Sequence, residues 1–292
     1  MDGLIDRLPR TPDELAALGP DWASIRGTKL PLDALADRSR LAPASADALH
    51  ATFAAAEPFP HLVIDGLFDA TLLDLVAEEF DLLDPAQWHR SYDGQHERTM
   101  RSRPASRLGH AAELYFATVH SGAFLAFLER VSGVPALITD PHLLNGGFHE
   151  SRAGGRFRIH TDFNKHAHTR LDNELVLITY LNRGWDPAWG GALELWSARP
   201  RECARRIEPV FGRTVLMKRT PVSFHGHPTP LSLPPGRVRR SVACYYYGRA
   251  EAGAAVHPTA FMDHSALRML RIAARQVTPP LLWNALKRLA RR

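Results

Sequence analysis

Residues 157–166 read FRIHTDFNKH, a stretch whose aromatic and β-branched residues are typical of a β-strand. Successive side chains of a strand point to opposite faces, so His160 and Asp162 point the same way. An imidazole and a carboxylate on one face are two potential metal ligands. A histidine and an acid at this spacing also occur by chance on protein surfaces, so a metal site requires a third ligand from elsewhere in the chain.

The same stretch lies in a region, from about residue 141 to 248, where β-branched and aromatic segments alternate with Gly, Pro, Asn and Asp. Eight candidate strands follow one another there: HLLNGGFHES, RFRIHTDF, NELVLITYLN, GALELWS, ARRIEPV, RTVLMKR, VSFHGH and RRSVACYYYG. Their number and spacing are typical of an all-β sandwich or barrel. Helical patterns lie on either side. The sequence therefore predicts an α+β fold, with a double-stranded β-helix (jelly-roll or cupin-like) core flanked by N- and C-terminal helices.

The regions around this core divide the chain into three predicted parts. Residues 1–57, rich in Ala, Asp and Pro, are predicted to form a helical N-terminal extension. Residues 58–250 are predicted to form the double-stranded β-helix domain with its supporting helices, and residues 251–292 a basic C-terminal helical segment. Within the middle part we expect a short strand at 61–64, then an amphipathic helix, and a polar, Arg-rich loop over residues 84–108.

The composition is that of an ordinary globular protein, with 292 residues, 45% hydrophobic residues and 23% charged residues. No apolar run reaches the roughly 18–20 residues that a membrane-spanning helix needs, and the N-terminus lacks the apolar stretch of a secretory signal. Cys203 and Cys244 are too few for a disulfide framework and belong to no CxxC pair. Both fit reduced thiols, and we therefore expect a cytoplasmic protein.

The net charge of +5 is unevenly distributed along the chain. From Arg237 to the C-terminus, 11 Lys and Arg residues stand against 2 acids. A solvated helix surface is the simplest explanation, and no interleaved aromatic residues indicate nucleic-acid binding. The last predicted helix, residues 279–292, also carries leucines at helical spacing beside its basic residues. Packing on the sheet, homodimer formation and attachment to a membrane surface or an acidic partner therefore stay open.

A third metal ligand must come from a distant strand, and His225 in SFHGHP, 63 residues after Asp162, is the best candidate. It directly follows the short segment VSF, and Gly226 then lets the chain turn. His227 lies two residues further on the same face and is the alternative. Two histidines and one carboxylate leave three octahedral positions open, which suits Fe(II). Structural zinc instead takes four ligands that usually include cysteine.

The segment RVRRSVACYYYG supplies a second constellation, which begins 14 residues after His225 with Arg239. Arg239 and Ser241 share one face of a predicted strand, whereas Arg240 points to the other. A guanidinium offers two parallel donors to a carboxylate, and a serine hydroxyl adds a third. The pair is suited to hold the distal carboxylate of a dicarboxylic keto acid whose keto-acid end chelates the iron. The alternative is a surface run of arginines that binds nothing.

Taken in order, HxD, YLN, GG, a distal histidine and RxS resemble the motifs of the iron(II)/2-oxoglutarate-dependent dioxygenases, specifically the prolyl-4-hydroxylase-like branch. The matching residues are His160-Thr161-Asp162, Tyr180-Leu181-Asn182, Gly190-Gly191-Ala192-Leu193, His225 and Arg239-Arg240-Ser241. The resemblance covers about residues 142–248, and FPHLVIDGLFD near residue 60 extends it more weakly. The set of motifs is specific, although no single motif is.

The resemblance implies the double-stranded β-helix fold and a set of site residues. The implied metal-binding and catalytic residues are His160, Asp162 and His225. The implied cosubstrate-binding residues are Arg239, Ser241 and Tyr180. The implied reaction uses Fe(II) and O2, and couples decarboxylation of 2-oxoglutarate to succinate and CO2 with hydroxylation of an unactivated C–H bond; ascorbate is a candidate stimulant. Halogenating relatives lack the carboxylate ligand, so Asp162 indicates hydroxylation.

Two classes of function follow from the sequence. The first is an enzyme, an Fe(II)/2-oxoglutarate-dependent dioxygenase that hydroxylates an amino acid, a peptidyl residue or a secondary metabolite. Its partners are then a small-molecule or peptidyl substrate and, as a further option, a second copy of the chain. The alternative is a non-enzymatic, metal-binding β-sandwich module in which His160 and Asp162 bind zinc or no metal. Metal content and affinity for 2-oxoglutarate distinguish the two.

Overall fold

The computed structural model describes residues 11, 13, 21–93, 96–250 and 256–262. The chain divides into two compact units, residues 1–260 and 261–292. The described helices are α1 (Arg38–Leu41), α2 (Pro43–Ala54), α3 (Ala70–Leu82), α4 (His110–Val119) and α5 (Gly122–Ser132). The described strands are β1 (Trp22–Ile25), β2 (Thr28–Pro31), β3 (His61–Asp65), β4 (Trp88–Asp93), β5 (Glu97–Ser102), β6 (Ile138–Thr139), β7 (Gly147–Ser151), β8 (Arg156–Thr161), β9 (Asp172–Tyr180), β10 (Leu193–Trp196), β11 (Cys203–Ile207), β12 (Arg213–Lys218), β13 (Phe224–His227), β14 (Arg239–Gly248) and β15 (Ala260–Phe261).

Within the described ranges, ten strands follow one another in a continuous sheet, in the order β11-β10-β13-β8-β5-β7-β14-β9-β12-β3. Neighbouring strands run antiparallel. The sheet curls on itself, because side chains of β9 and β12 near one end pack in a single buried cluster with side chains of β10 and β11 at the other. All eight strands predicted between residues 141 and 248 are present as β7 to β14. The predicted fold class and double-stranded β-helix core are thereby confirmed.

Strand β9 shows how alternation separates an outer core from an inner one. Leu175 and Leu177 face the helices and belong to the larger apolar cluster, whereas Val176 and Tyr180 face the inside of the curled sheet. Burying an aliphatic side chain of this size contributes roughly 1.5–3 kcal/mol. A register shift of one residue would exchange the two faces, so packing on both sides holds the strand in place.

Strand β14 follows the same rule and thereby turns polar side chains inward. Val242 and Tyr246 pack in the outer core beneath the helices. The alternate positions, Arg239, Ser241 and Tyr245, therefore point into the interior of the sheet, where all three line one cavity. This cavity contains the candidate site.

Helix α3 covers the outer face of the sheet through apolar residues at helical spacing, as predicted. Its buried apolar residues are Leu72, Leu73, Leu75, Val76 and Phe80. Phe80 stacks on Phe148 of β7, with ring centroids 3.9 Å apart and planes nearly parallel. Because Phe148 packs outward, its neighbour His149 points inward and lines the cavity.

The region 84–108, predicted to be a loop, contains the hairpin of β4 and β5 instead. Strand β5 turns Glu97, Thr99 and Arg101 toward the polar cavity, so its sequence lacks the apolar alternation that identifies strands. Only its pairing with β7 and β8, which are distant in sequence, reveals it as part of the sheet.

The N-terminal extension is only partly helical. Helices α1 and α2 agree with the prediction, but residues 22–31 form the hairpin β1–β2, which turns at Arg26 and Gly27 with positive φ angles. The Ala- and Asp-rich residues around this short hairpin dominate the composition and hide it. Of the predicted C-terminal segment 251–292, all but 256–262 lies outside the described residues. The three predicted domain boundaries stay predictions.

Helices α4 and α5 form the most apolar helical part of the described chain. Among the described residues, no single helix combines the length and the apolar composition that crossing a membrane requires. Of the described helices, only α4 and α5 taken together satisfy both criteria, and the pair bends by 51°. Their apolar residues, including Phe116, Phe124 and Leu128, are buried in the outer core.

Candidate metal centre

Three potential metal ligands meet inside the curled sheet. His160 lies near the end of β8, and Asp162 follows directly after that strand. Strand β13 runs antiparallel to β8 and places His225 opposite His160, with ring centroids 4.6 Å apart. All three side chains are buried, and their ligand atoms lie within 4.8 Å of one another. Strand register thus brings the predicted set together.

Backbone carbonyls orient both imidazoles. His160 Nδ1 lies 2.7 Å from the carbonyl oxygen of Arg158, and His225 Nδ1 lies 3.0 Å from that of Ser223. A carbonyl oxygen only accepts hydrogen bonds, so each Nδ1 donates and each Nε2 presents its lone pair to the interior. The two Nε2 atoms lie 3.5 and 3.6 Å from the oxygens of Asp162. Atoms that share one metal ion at about 2.1 Å are separated by roughly 3–3.6 Å, so the spacing fits an ion.

Asp162 is ionised despite its burial. Burial raises the pKa of this carboxyl, but the interactions with His225 and His160 outweigh burial and lower the pKa to about 2. Burial lowers the pKa of His225, and this favours the neutral imidazole. Neutral imidazoles and an ionised carboxylate are the protonation states that a divalent ion requires of its ligands.

A buried cation lies in the same cavity. Arg239 is 7% exposed; its Nε donates to the carbonyl oxygen of Gly191 over 2.8 Å, and its Nη2 lies 3.4 Å from the hydroxyl of Tyr180. Ser241 stands opposite Tyr180 in the β9–β14 register and lines the same wall. Within the described part of the chain, no acidic side chain forms an ion pair with Arg239. A buried guanidinium without a counter-ion is costly, so this wall is suited to bind a carboxylate.

Arg240 confirms that β14 has two chemically distinct faces. Its guanidinium points outward, donates to Glu150 over 3.1 Å and pairs with Asp81. Both acids therefore form ion pairs with it on the outer face of the sheet. Of the two neighbouring arginines, only Arg239 is therefore available to an anionic ligand in the cavity, as the alternation in the sequence predicted.

Comparison with known proteins identifies the arrangement. Residues 146–247 match the family model of the 2OG-Fe(II) oxygenase superfamily. These residues therefore match a 2OG-Fe(II) oxygenase domain. The predicted resemblance and the predicted cofactors, Fe(II) with 2-oxoglutarate and O2, are confirmed by this match and by the His-Asp-His set.

Solved structures share the fold of the oxygenase domain. A prolyl-4-hydroxylase from Pseudomonas putida is 19% identical over 70% of this chain and 100% of that chain, with a TM-score of 0.52. A prolyl hydroxylase from Trichoplax adhaerens, in complex with a peptide fragment of the hypoxia inducible factor oxygen degradation domain, is 14% identical over 69% of this chain and 88% of that chain, with a TM-score of 0.50. No curated protein matches the sequence.

The structure separates the histidines that the sequence alone could not rank. A register irregularity between His225 and His227 places His227 opposite Phe157 rather than beside the other ligands. His166 lies elsewhere in the oxygenase domain, where its Nε2 is 3.3 Å from Asp140. Among the described residues, His160, Asp162 and His225 form the one cluster suited to a metal ion.

The donor set fits ferrous iron better than structural zinc. It supplies two neutral nitrogens and one carboxylate from one side, which leaves the opposite positions open to other ligands. A closed zinc site would add a fourth ligand, usually a thiolate. Cys244 instead packs in the outer core beneath the helices. Its Sγ lies 3.1 Å from Nε2 of His120, the residue that directly follows helix α4.

Sequence reasoning did not predict that a strand, β5, forms part of the wall of the cavity. Glu97, Thr99 and Arg101 of β5 line it, together with Asn145 and His149. Burial and the nearby charge of Arg101 lower the pKa of His149 to about 4. The i, i+2 spacing of three polar residues at 97, 99 and 101 is the signal that the sequence offers, but the polar, Arg-rich composition of residues 84–108 predicts a loop instead.

Proposed function

We propose that the oxygenase is a 2-oxoglutarate-dependent hydroxylase acting on an unactivated C–H bond of an amino acid, a peptidyl residue or a secondary metabolite. The observation that carries this proposal is one cavity that contains both a buried His-Asp-His set and a buried arginine with no ion-pair partner among the described residues. The first feature selects a divalent ion, and the second selects an anionic ligand beside it. Together they match what an Fe(II) and keto-acid pair requires.

In this proposal His160, Asp162 and His225 hold the ferrous ion. Their protein partners fix them in advance, because carbonyl oxygens hold both imidazole Nδ1 atoms and the carboxylate is already ionised. Little reorganisation is needed when the ion binds. When bound, iron with 2-oxoglutarate and O2 supplies the oxidation that converts C–H to C–OH, while 2-oxoglutarate becomes succinate and CO2.

Arg239, Ser241 and Tyr180 are proposed to hold 2-oxoglutarate. The guanidinium is fixed from behind by Gly191, which keeps its remaining donors toward the cavity. A Cβ on Gly191 would lie 3.1 Å from Arg239 Cδ and 2.5 Å from Leu231, so only glycine allows this close approach. The hydroxyls of Tyr180 and Ser241 add neutral hydrogen-bonding groups to the same wall.

Asp162 also favours hydroxylation over halogenation. Its carboxylate occupies the position beside His160 and His225 that a halide ion would need. The apolar residues of the cavity, Val176, Leu193 and Tyr245 among them, exclude water from the space around the ligands. These residues keep the oxidising chemistry directed at the substrate.

Turnover of 2-oxoglutarate tests the proposal directly. The purified chain is incubated in air with Fe(II), ascorbate and 2-oxoglutarate, and succinate is measured. We expect iron-dependent succinate from the wild type, none above background from Asp162→Ala, and wild-type amounts from the control Asp47→Ala, whose carboxylate lies in an exposed pair with Arg130. Equal amounts from Asp162→Ala and the wild type would contradict the proposal. Mass spectrometry of a metabolite and peptide panel then looks for the gain of one oxygen atom.

The alternative, a non-enzymatic metal-binding module, makes a different prediction in the same assay. It expects the chain to bind a divalent ion without any effect of 2-oxoglutarate on stability and without succinate. Thermal unfolding with Mn(II), with and without 2-oxoglutarate, separates the two functions even before a substrate is known. A ligand that binds only the folded state raises its stability by mass action.

A further inference from the structure

A second buried histidine of β13, His227, lies in the cavity wall without belonging to the metal set. It is 6% exposed and lines the cavity together with Tyr180 and Arg239. Its Nδ1 is fully buried and has no hydrogen-bond partner among the described residues. An unsatisfied buried polar atom costs about 1–3 kcal/mol, so such atoms in native structures usually have a ligand or water as their partner.

His227 lies at the end of the cavity that contains Arg239. His225 and His227 are two residues apart on β13, with a register irregularity between them. His227 and Gly191 both line a second cavity, and Gly191 is the residue whose carbonyl oxygen accepts a hydrogen bond from Arg239. His227 therefore stands beyond the metal ligands, toward the group that anchors an anion.

We propose that His227 hydrogen bonds to the distal carboxylate of 2-oxoglutarate beside Arg239, and that it is a positioning residue for the cosubstrate. The proposal rests on the function proposed above. A carboxylate can accept about four hydrogen bonds. The guanidinium fork of Arg239 alone does not supply that many donors to it. A donor from β13 would fix the carboxylate from a second strand and so favour a dicarboxylic keto acid over a monocarboxylic one.

Binding of two keto acids to the Mn(II)-loaded full chain tests this role without turnover. The first is 2-oxoglutarate, and the second is 2-oxopentanoate, which has the same number of carbons but a methyl group in place of the distal carboxylate. His227→Leu removes the donor, and His227→Asn keeps an amide donor. His50→Leu, in helix α2 and bonded to the carbonyl oxygen of Val131, is the matched control.

We expect His227→Leu to weaken binding of 2-oxoglutarate about tenfold or more, the loss typical of a hydrogen bond to a charged group. Binding of 2-oxopentanoate and of Mn(II) alone should stay within about twofold, since neither contacts His227 in this arrangement. His227→Asn should recover part of the affinity, and it also serves if His227→Leu does not fold. His50→Leu should bind all three ligands like the wild type.

Three results would overturn the role of His227. These are unchanged binding of 2-oxoglutarate in His227→Leu, an equal loss for both keto acids, or a loss of Mn(II) binding in both His227 variants. The last would make His227 part of the metal site. Failure of the proposed function looks different, because the wild type itself would then bind Mn(II) but neither keto acid.

Discussion

At the scale of single residues, two backbone carbonyls and one carboxylate determine what the site can bind. The carbonyls of Arg158 and Ser223 hold the two Nδ1 protons, so the Nε2 lone pairs of His160 and His225 face Asp162. Asp162 is the one anion of the set, and its charge must balance the ion. A substitution that keeps the shape of this side chain but removes its charge therefore isolates the electrostatic contribution to metal binding.

We predict that Asp162→Asn weakens Mn(II) binding by more than the 10–100-fold that loss of an outer-shell partner typically costs. The amide keeps the volume of the carboxylate but brings no charge and only one acceptor oxygen. Isothermal titration with Mn(II) measures the effect, and Asp47→Asn at an exposed site is the control. Similar affinities for the two variants would mean that Asp162 is not a ligand.

The two neighbouring arginines of β14 offer a second residue-scale prediction. Arg239→Lys keeps the charge but loses the planar fork, so we expect the KM for 2-oxoglutarate to rise about tenfold or more while kcat changes less. Arg240→Lys, on the outer face, is the matched control and should leave the KM within about twofold. Steady-state succinate formation measures both. A larger effect from Arg240→Lys would contradict the assigned faces of the strand.

At the scale of elements, the helices are joined by a buried carboxylate. Glu79 of α3 is 3% exposed and accepts hydrogen bonds from the backbone N–H groups of Ala111 and Ala112, over 2.9 and 2.8 Å. It thereby caps α4, whose own N-cap is Gly109 and offers no side chain. A Cβ on Gly109 would lie 2.3 Å from Glu79 Cδ, so the glycine is required for this approach.

We predict that Glu79→Ala lowers the free energy of unfolding by about 2–4 kcal/mol, because it leaves two buried N–H groups at the start of α4 without an acceptor. Glu78→Ala is the control: its side chain is 65% exposed and pairs with Arg26 at 3.2 Å, so about 1 kcal/mol or less is expected. Urea denaturation monitored by circular dichroism measures both. Equal losses would show that Glu79 does not cap the helix.

At the scale of the whole molecule, several histidines are buried in the neutral form. His61 donates from Nδ1 to the carbonyl oxygen of Phe59, and its Nε2 accepts from Arg205 over 2.7 Å. Burial lowers the pKa of His61, and the charge of Arg205 lowers it further. Burial likewise lowers the pKa of His120. At these histidines the unfolded chain therefore binds more protons than the folded chain below about pH 6.5.

We predict that the metal-free protein loses stability as the pH falls from about 6.5 toward 4. The sign follows from the lowered pKa values, because the folded state requires these histidines to stay unprotonated. Their contribution to stability is therefore complete above the pKa of the unfolded chain and declines below it. Urea denaturation at several pH values measures the slope. His61→Gln removes one such group and should show a shallower decline between pH 6.5 and 5; an unchanged slope would contradict the assignment to His61.

Most strands of the β-core could be predicted from the sequence, because each of them has at least one face lined by apolar residues. At every second residue, β9 places Leu175 and Leu177, and β14 places Val242, Cys244 and Tyr246, in the core beneath the helices. Strand β5 has no such pattern, because its inward residues Glu97, Thr99 and Arg101 line the cavity. Polar residues that line a functional cavity thus replace the apolar alternation by which a strand is recognised in a sequence.

The sequence by itself determined the chemistry of the site, because strand alternation is a local rule. It pairs His160 with Asp162, and Arg239 with Ser241, whatever the remaining chain does. Only the tertiary structure decided that His225, rather than His227, joins His160 and Asp162 in the cluster that could hold a metal ion. That choice depends on the register of β13 against β8, including its irregularity, and register is set by packing between residues far apart in sequence.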